Sequence, residues 1–251
     1  MNFYKICVFV VFGICCSWAV QACESPWLGE GQYEGSLSSG VELPVATGEW
    51  LRKGAPNELE FVPLRINQVL DGENVVLDLC VGKDYMKFSK KGLYAAPGMD
   101  TIRLMEEMWD VLPPTPHLVD IIHTVSQKRM LPHPRPPSSV MTLVSEGIAH
   151  LENIGFVGGG HLLVSGHKKD IVLSERLLGS GKIAIYGWIK SNGKPIQPLN
   201  LFHHAGYGDY SHGFRPILNV AHVNGEKTTI REILADPIWH ALLNPQPIVN
   251  W

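Results

Sequence analysis

The chain has 251 residues, 45% of them hydrophobic and 18% charged, a balance that fits one large globular domain or two small ones. A net charge of −3 with no long run of lysine or arginine argues against a phosphate-backbone partner, so no nucleic acid is expected. Eighteen prolines and 25 glycines exclude a plain helical bundle and predict short elements joined by many loops.

Residues 1–22 read as a secretory signal peptide. Lys5 supplies a positive start, Ile6 to Val20 an apolar stretch, and Val20-Gln21-Ala22 a cleavage site. The apolar stretch is shorter than the about 20 residues a membrane span needs. Export is therefore expected, to the periplasm, to the medium, or to the outer membrane as an anchored lipoprotein. Cys7, Cys15 and Cys16 leave with the leader, so Cys23 and Cys80 remain. Cys23 follows Val20-Gln21-Ala22 as the cysteine follows a loose bacterial lipobox. It either takes a lipid, the one membrane contact expected, or pairs with Cys80 in an oxidising compartment.

Residues 23–57, rich in Gly, Ser and Glu, show no periodicity and read as an irregular N-terminal arm. A globular α+β domain is expected over 58–251, with a sub-boundary near residue 156. ELEFVPLRI and NVVLDLCV flank an Asp71-Gly72 turn and predict a β-hairpin, with KDYMKF as a third strand. Ile102, Met105, Met108, Trp109 and Leu112 recur at helical spacing behind an Asp100 cap. Thr115 as N-cap with Pro116 in the first turn starts a second helix, carrying Leu118, Ile121, Ile122 and Val125. A third is expected over about Val140–Ile154. Beyond Gly158, the segments GGGHLLVSGHKKDIVL, GKIAIYGWI and PILNVAHV read as strands. NGKPIQPL reads as a loop, and Thr229 to Glu232 as a capping box before a short helix. The expected fold is thus α+β, with antiparallel strands flanking a helical middle.

The motifs KDYMKF, LPPTPHLVDII, HPRPPSSVMT, SGHKKDIVLSERL, AIYGW, GKPIQPL and DYSHGFR follow one another between Asp84 and Arg215. In that order they resemble a family of exported bacterial proteins without an established activity. The resemblance implies export and carries no reaction. SHGFR is also similar to the SHGC-x-R signature of L,D-transpeptidases, but Phe214 stands where that family has its catalytic cysteine, and Arg215 comes one residue early.

The chemistry concentrates in HHAGYGDYSHGFRP, residues 203–216. His204, Asp209 and His212, joined by His167 or His161 from the GHKKD segment, form a donor set suited to a catalytic zinc. Zinc is the one cofactor considered, although no HExxH or paired CxxC is present. His167, Asp209, Ser211, His212 and Arg215 are the candidate catalytic residues, with Lys169 and Arg215 expected to stabilise anionic charge. Asp209 occupies the first glycine position of G-x-S-x-G, and no hydrophobic strand leads into Ser211, so a nucleophile elbow is excluded. The leading expectation is a hydrolase acting on a cell-envelope polymer, peptidoglycan or polysaccharide. The alternative is a non-catalytic envelope or carbohydrate-binding protein that uses Tyr186, Trp188, Tyr207 and Tyr210.

Overall fold

The computed structural model describes residues 7–9, 23–25, 38–53, 59–88, 92–155 and 162–249. The fold is mixed α+β, with mainly antiparallel strands. Strand β1 (Cys7–Phe9) lies along the edge of β2 (Phe61–Leu70), and the rest of the expected leader falls outside the described residues. The expected hairpin forms: β2 and β3 (Glu73–Gly82) pair throughout their length around Asp71-Gly72. Asp71 and Gly72 both take positive φ, 48° and 86°, which tight two-residue turns demand. Alternation then sets the faces. Val62, Leu64, Ile66 and Leu70 point inward with Val75, Leu77, Leu79 and Val81. On the outer face Arg65 grips the carboxylate of Asp78, its directly opposite partner, with bonds of 2.6 and 2.9 Å.

The N-terminal arm is not irregular throughout. Helix α1 (Leu43–Lys53) occupies part of it, burying Leu43, Ala46, Trp50 and Leu51 against the core. The helix is hard to read from sequence because Thr47 and Gly48 weaken its propensity; burial of Trp50 offsets that. KDYMKF contributes only β4 (Lys87–Phe88), which pairs with β5 (Leu93–Tyr94).

Helices α2 (Met99–Trp109), α3 (Pro116–Val125) and α4 (Val144–Ile154) form where helices are expected, but Leu112, expected in the first stripe, falls in a strand, and α4 begins at Val144 rather than about Val140. Gly98 rather than Asp100 is the α2 N-cap, and Met108 is 52% exposed. Thr115 caps α3 as expected, accepting from the Leu118 N–H at 3.1 Å. Helices and strands interleave along the chain. Strand β6 (Val111–Leu112), between α2 and α3, joins the large sheet, and β7 (Lys128–Arg129) pairs with β8 (Val164–Ser165) in parallel.

Four strands make the second sheet: β9 (Lys169–Ile171), β10 (Ile185–Ile189), β11 (Pro195–Asn200) and β12 (His212–Gly213), in the order β11-β10-β9-β12. PIQPLN, expected as loop, is strand β11. Its prolines sit on an edge, where a missing N–H donor costs no ladder bond. Strand β13 (Ile217–Val223) pairs with both β3 and β14 (Glu226–Thr229), so residues on either side of position 156 share one sheet. Helix α5 (Ile230–Ala235) carries the expected Thr229/Glu232 capping box.

Cys23 and Cys80 form a disulfide with Cα atoms 5.4 Å apart. Of the two outcomes open to Cys23, this one uses its sulfur and leaves none for a lipid.

Candidate functional site

The two segments singled out in the sequence, 161–170 and 203–215, meet. Strand β12 runs parallel to β9, with His212 opposite Lys169 and Gly213 opposite Asp170. The Lys169 N–H donates to the Ser211 carbonyl at 2.7 Å. Glycines permit this approach. A Cβ on Gly213 would stand 2.7 Å from the Tyr85 ring and 3.0 Å from Lys168 Cβ. His161 lies outside the described residues.

Beneath the surface lies a polar network around His167. The imidazole is fully buried, packed edge-on against Tyr85 and Tyr94, with Nε2 3.7 Å from Asp84. Asp84 accepts from the Tyr85 N–H at 2.8 Å and the Tyr94 hydroxyl at 3.1 Å, and pairs with Lys87 at 2.7 Å. Burial alone would raise the Asp84 carboxyl; His167, Lys87 and Arg215 together hold it below its usual range. Burial drives His167 down to about 3, so the imidazole is neutral at pH 7 and Lys87 carries the charge opposite Asp84. Next to it, Lys168 donates to the Tyr210 carbonyl at 2.6 Å and lies 3.3 Å from His150 Nδ1. Burial brings Lys168 down to about 7, Asp170 up to about 7 and His150 down to about 2.

A second buried group lies under the half-buried rings of His203 and Tyr207. Asp209 accepts from both the Ser211 N–H, at 2.8 Å, and the Ser211 hydroxyl, at 2.5 Å, while the Tyr207 hydroxyl donates to its other oxygen at 3.1 Å. Burial would raise this carboxyl, yet His212, Lys169 and the Ser211 bonds keep it well below the carboxylate range. His212 lies 3.9 Å from Asp209 and is driven by burial to about 4. Over this pair the His203 ring stacks flat on Tyr207, with centroids 3.8 Å apart and planes 4° from parallel. Phe202, 78% exposed, stands edge-on to His203 at 5.4 Å. Phe202, His203 and Tyr207 thus form an aromatic ledge that reaches solvent.

These positions change several expected roles. Ser211 is fully buried and its hydroxyl donates to the Asp209 carboxylate, so it faces no substrate as a nucleophile. Arg215, 1% exposed, donates to the Gly82 and Val164 carbonyls at 2.6 Å each, with its guanidinium 4.4 Å over Tyr85. Its charge is committed to the interior, not offered to a substrate. The proposed zinc ligands do not converge. His204 is exposed and accepts from the Gly206 N–H at 3.2 Å, while His167 belongs with Asp84 and His212 with Asp209. Among the described residues no three His, Cys, Asp or Glu side chains could hold a metal ion, so the donor set does not fit zinc. Trp188 and Tyr210, considered as sugar platforms, are buried at 5% and 2%. Lys169 packs its ammonium 4.8 Å over the Trp188 ring. Asp84, His150 and Phe202 were not singled out from sequence. Asp84 lies in the quoted KDYMKF motif, but nothing local tells its carboxylate to meet His167.

The buried histidines make stability depend on pH. His150, His167 and His212 stay neutral when folded but take protons in the unfolded chain below about 6.5. Asp170 and Glu106, the latter raised to about 7 chiefly by burial, work the other way, because the folded chain holds their protons between about 4 and 7. His117, His123 and His203, also held toward neutral by burial, add to the protons the unfolded chain takes up, while Asp120, raised by burial, subtracts, so the balance favours the unfolded chain. Stability should therefore fall as pH drops from 6.5 to 4.5. Urea unfolding midpoints across that window check this, and a flat or rising midpoint contradicts it.

No protein-family model matches the chain, and no curated protein or solved structure resembles it significantly.

Proposed function

We propose that the chain is an exported, non-catalytic protein that binds a cell-envelope glycan on the Phe202–His203–Tyr207 ledge. The observation that carries this reading is Phe202, a large ring 78% exposed beside a stacked His203–Tyr207 pair. Flat rings cover the apolar face of a sugar, and neighbouring Asp, His and Lys groups offer partners for its hydroxyls. Export is supported by the leader pattern and by the Cys23–Cys80 disulfide, which persists in oxidising compartments. A binding face needs no buried reactive group, which suits a chain whose Asp209, Ser211, His212, His167 and Arg215 are all 2% exposed or less. A single globular domain belongs to this same proposal.

The test is co-sedimentation with insoluble peptidoglycan and titration with soluble glycan fragments. Phe202→Ala should weaken binding about ten- to a hundredfold, because burying a phenylalanine ring contributes about 1.5–3 kcal/mol. Unchanged binding by this surface variant would remove the ledge from the reading.

One observation favours the hydrolase. Both ring nitrogens of His167 and of His212 lack hydrogen-bond partners among the described residues, while Lys168 and Asp170 are poised near 7. Release of glycan fragments by the purified chain, lost in His212→Gln, would establish the hydrolase in place of the binding protein.

A further inference from the structure

A recess opens beside the small sheet. It is a cleft of about 270 Å³ between the start of α3, the 3₁₀ turn Glu175–Leu177, the β10–β11 strands and the C-terminal segment near Asn244. Its volume falls below the roughly 300–1,000 Å³ of drug-sized sites, so it suits one ring-sized unit. The walls have a definite chemistry. Asp120 and Glu175 present carboxylates, and both oxygens of Asp120 face the Tyr186 hydroxyl, at 2.9 and 3.1 Å. His117 is held toward its neutral form by burial. No lysine or arginine lines the recess. Leu199 and the Tyr186 ring supply an apolar wall, and Leu199 and Tyr186 pack in the same small apolar cluster. Two carboxylates without a lining cation favour a cationic group, and the ring and Leu199 favour a body with an apolar face.

Leu199 lines the cleft, and Phe202 of the ledge lies three residues further along the chain, just beyond the end of β11.

We propose that this cleft binds a sugar unit carrying a free amine, so that the glycan taken by the ledge is one with de-N-acetylated amino sugars. This rests on the ledge reading for the polymer, but the cleft is tested separately. The Asp120 and Glu175 carboxylates receive the ammonium and the Tyr186 ring lies under the pyranose. An acetylated nitrogen would lose the charge and add bulk.

Calorimetric titration with glucosamine tetramer, N-acetylglucosamine tetramer and lysine amide tests this, on the wild type and on Asp120→Asn, Glu175→Gln and Phe202→Ala. The glucosamine tetramer should bind at least tenfold tighter than its acetylated form. That preference should disappear in the Asp120→Asn/Glu175→Gln double variant and survive, at lower affinity, in Phe202→Ala. Circular dichroism of the double variant must match the wild type, and Tyr186→Phe gives an independent check that leaves both carboxylates in place. Equal affinity for both tetramers, or an unchanged preference in the double variant, overturns the cleft while leaving the ledge standing. Glucosamine binding that depends on the carboxylates but is indifferent to Phe202→Ala upholds the cleft and overturns the ledge. Lysine amide binding as tightly as the glucosamine tetramer overturns the assignment to a sugar.

Discussion

Replacing Arg215 by methionine should lower the free energy of unfolding by about 3–5 kcal/mol, the range for breaking a buried ionic group away from its partners. The guanidinium is 1% exposed and ties three parts of the chain together. It caps the Gly82 carbonyl at the end of β3 and the Val164 carbonyl in β8, and lies 3.8 Å from Asp170 beside β12. Methionine fills similar space but donates nothing, leaving two buried carbonyls without a donor. Asp170 lessens the cost. Burial already lifts it to about 7, so it takes up a proton when Arg215 is gone, and the Tyr85 hydroxyl bond at 2.8 Å remains. Arg215→Lys keeps the charge but loses the fork, and should fall between the wild type and methionine. Urea unfolding followed by tryptophan fluorescence measures both. A loss below about 1 kcal/mol for Arg215→Met would mean the two carbonyls find water instead. Glycan binding at a temperature where the variant is folded should stay at the wild-type level, which separates this structural role from the anion-stabilising role expected from sequence.

The Cys23→Ser/Cys80→Ala double variant should be about 4 kcal/mol less stable than the wild type, the loop-entropy value for closing a loop of this size. The bridge spans 57 residues and fastens the segment near Cys23 to β3, at the centre of the large sheet. The wild type treated with reductant should fall to the same stability as the variant. Intact mass before and after reduction gives a direct count, because the bridge accounts for two hydrogens. A mass increment of an acyl or diacylglycerol group on Cys23 would show the lipid alternative instead.

Local pattern accounts for the elements that were legible. The β2–β3 hairpin follows from alternation around Asp71-Gly72, α3 from Thr115 and Pro116, and α5 from the Thr229/Glu232 box. In each, the signal lies within a few residues of the structure it specifies. Helix α1 and strand β11 were missed because tertiary contacts override weak or contrary local preference. Trp50 buries against the core despite Thr47 and Gly48, and Pro195 and Pro198 are tolerated because β11 is an edge.

For the candidate site, the sequence by itself singled out the GHKKD and DYSHG segments as rich in titratable side chains, and these two segments do pair. It determined the absence of a transpeptidase nucleophile at Phe214 and of a serine elbow around Ser211. Only the tertiary structure decided what those groups do. The fold buries His167 beside Asp84 and commits Arg215 to the Gly82 and Val164 carbonyls, while Phe202, unremarkable in sequence, stands 78% exposed. The physical reason is that ionisation and reactivity depend on burial and on partners distant in the chain. Asp84 and His167 are 83 positions apart, and no local spacing records that they will be buried side by side.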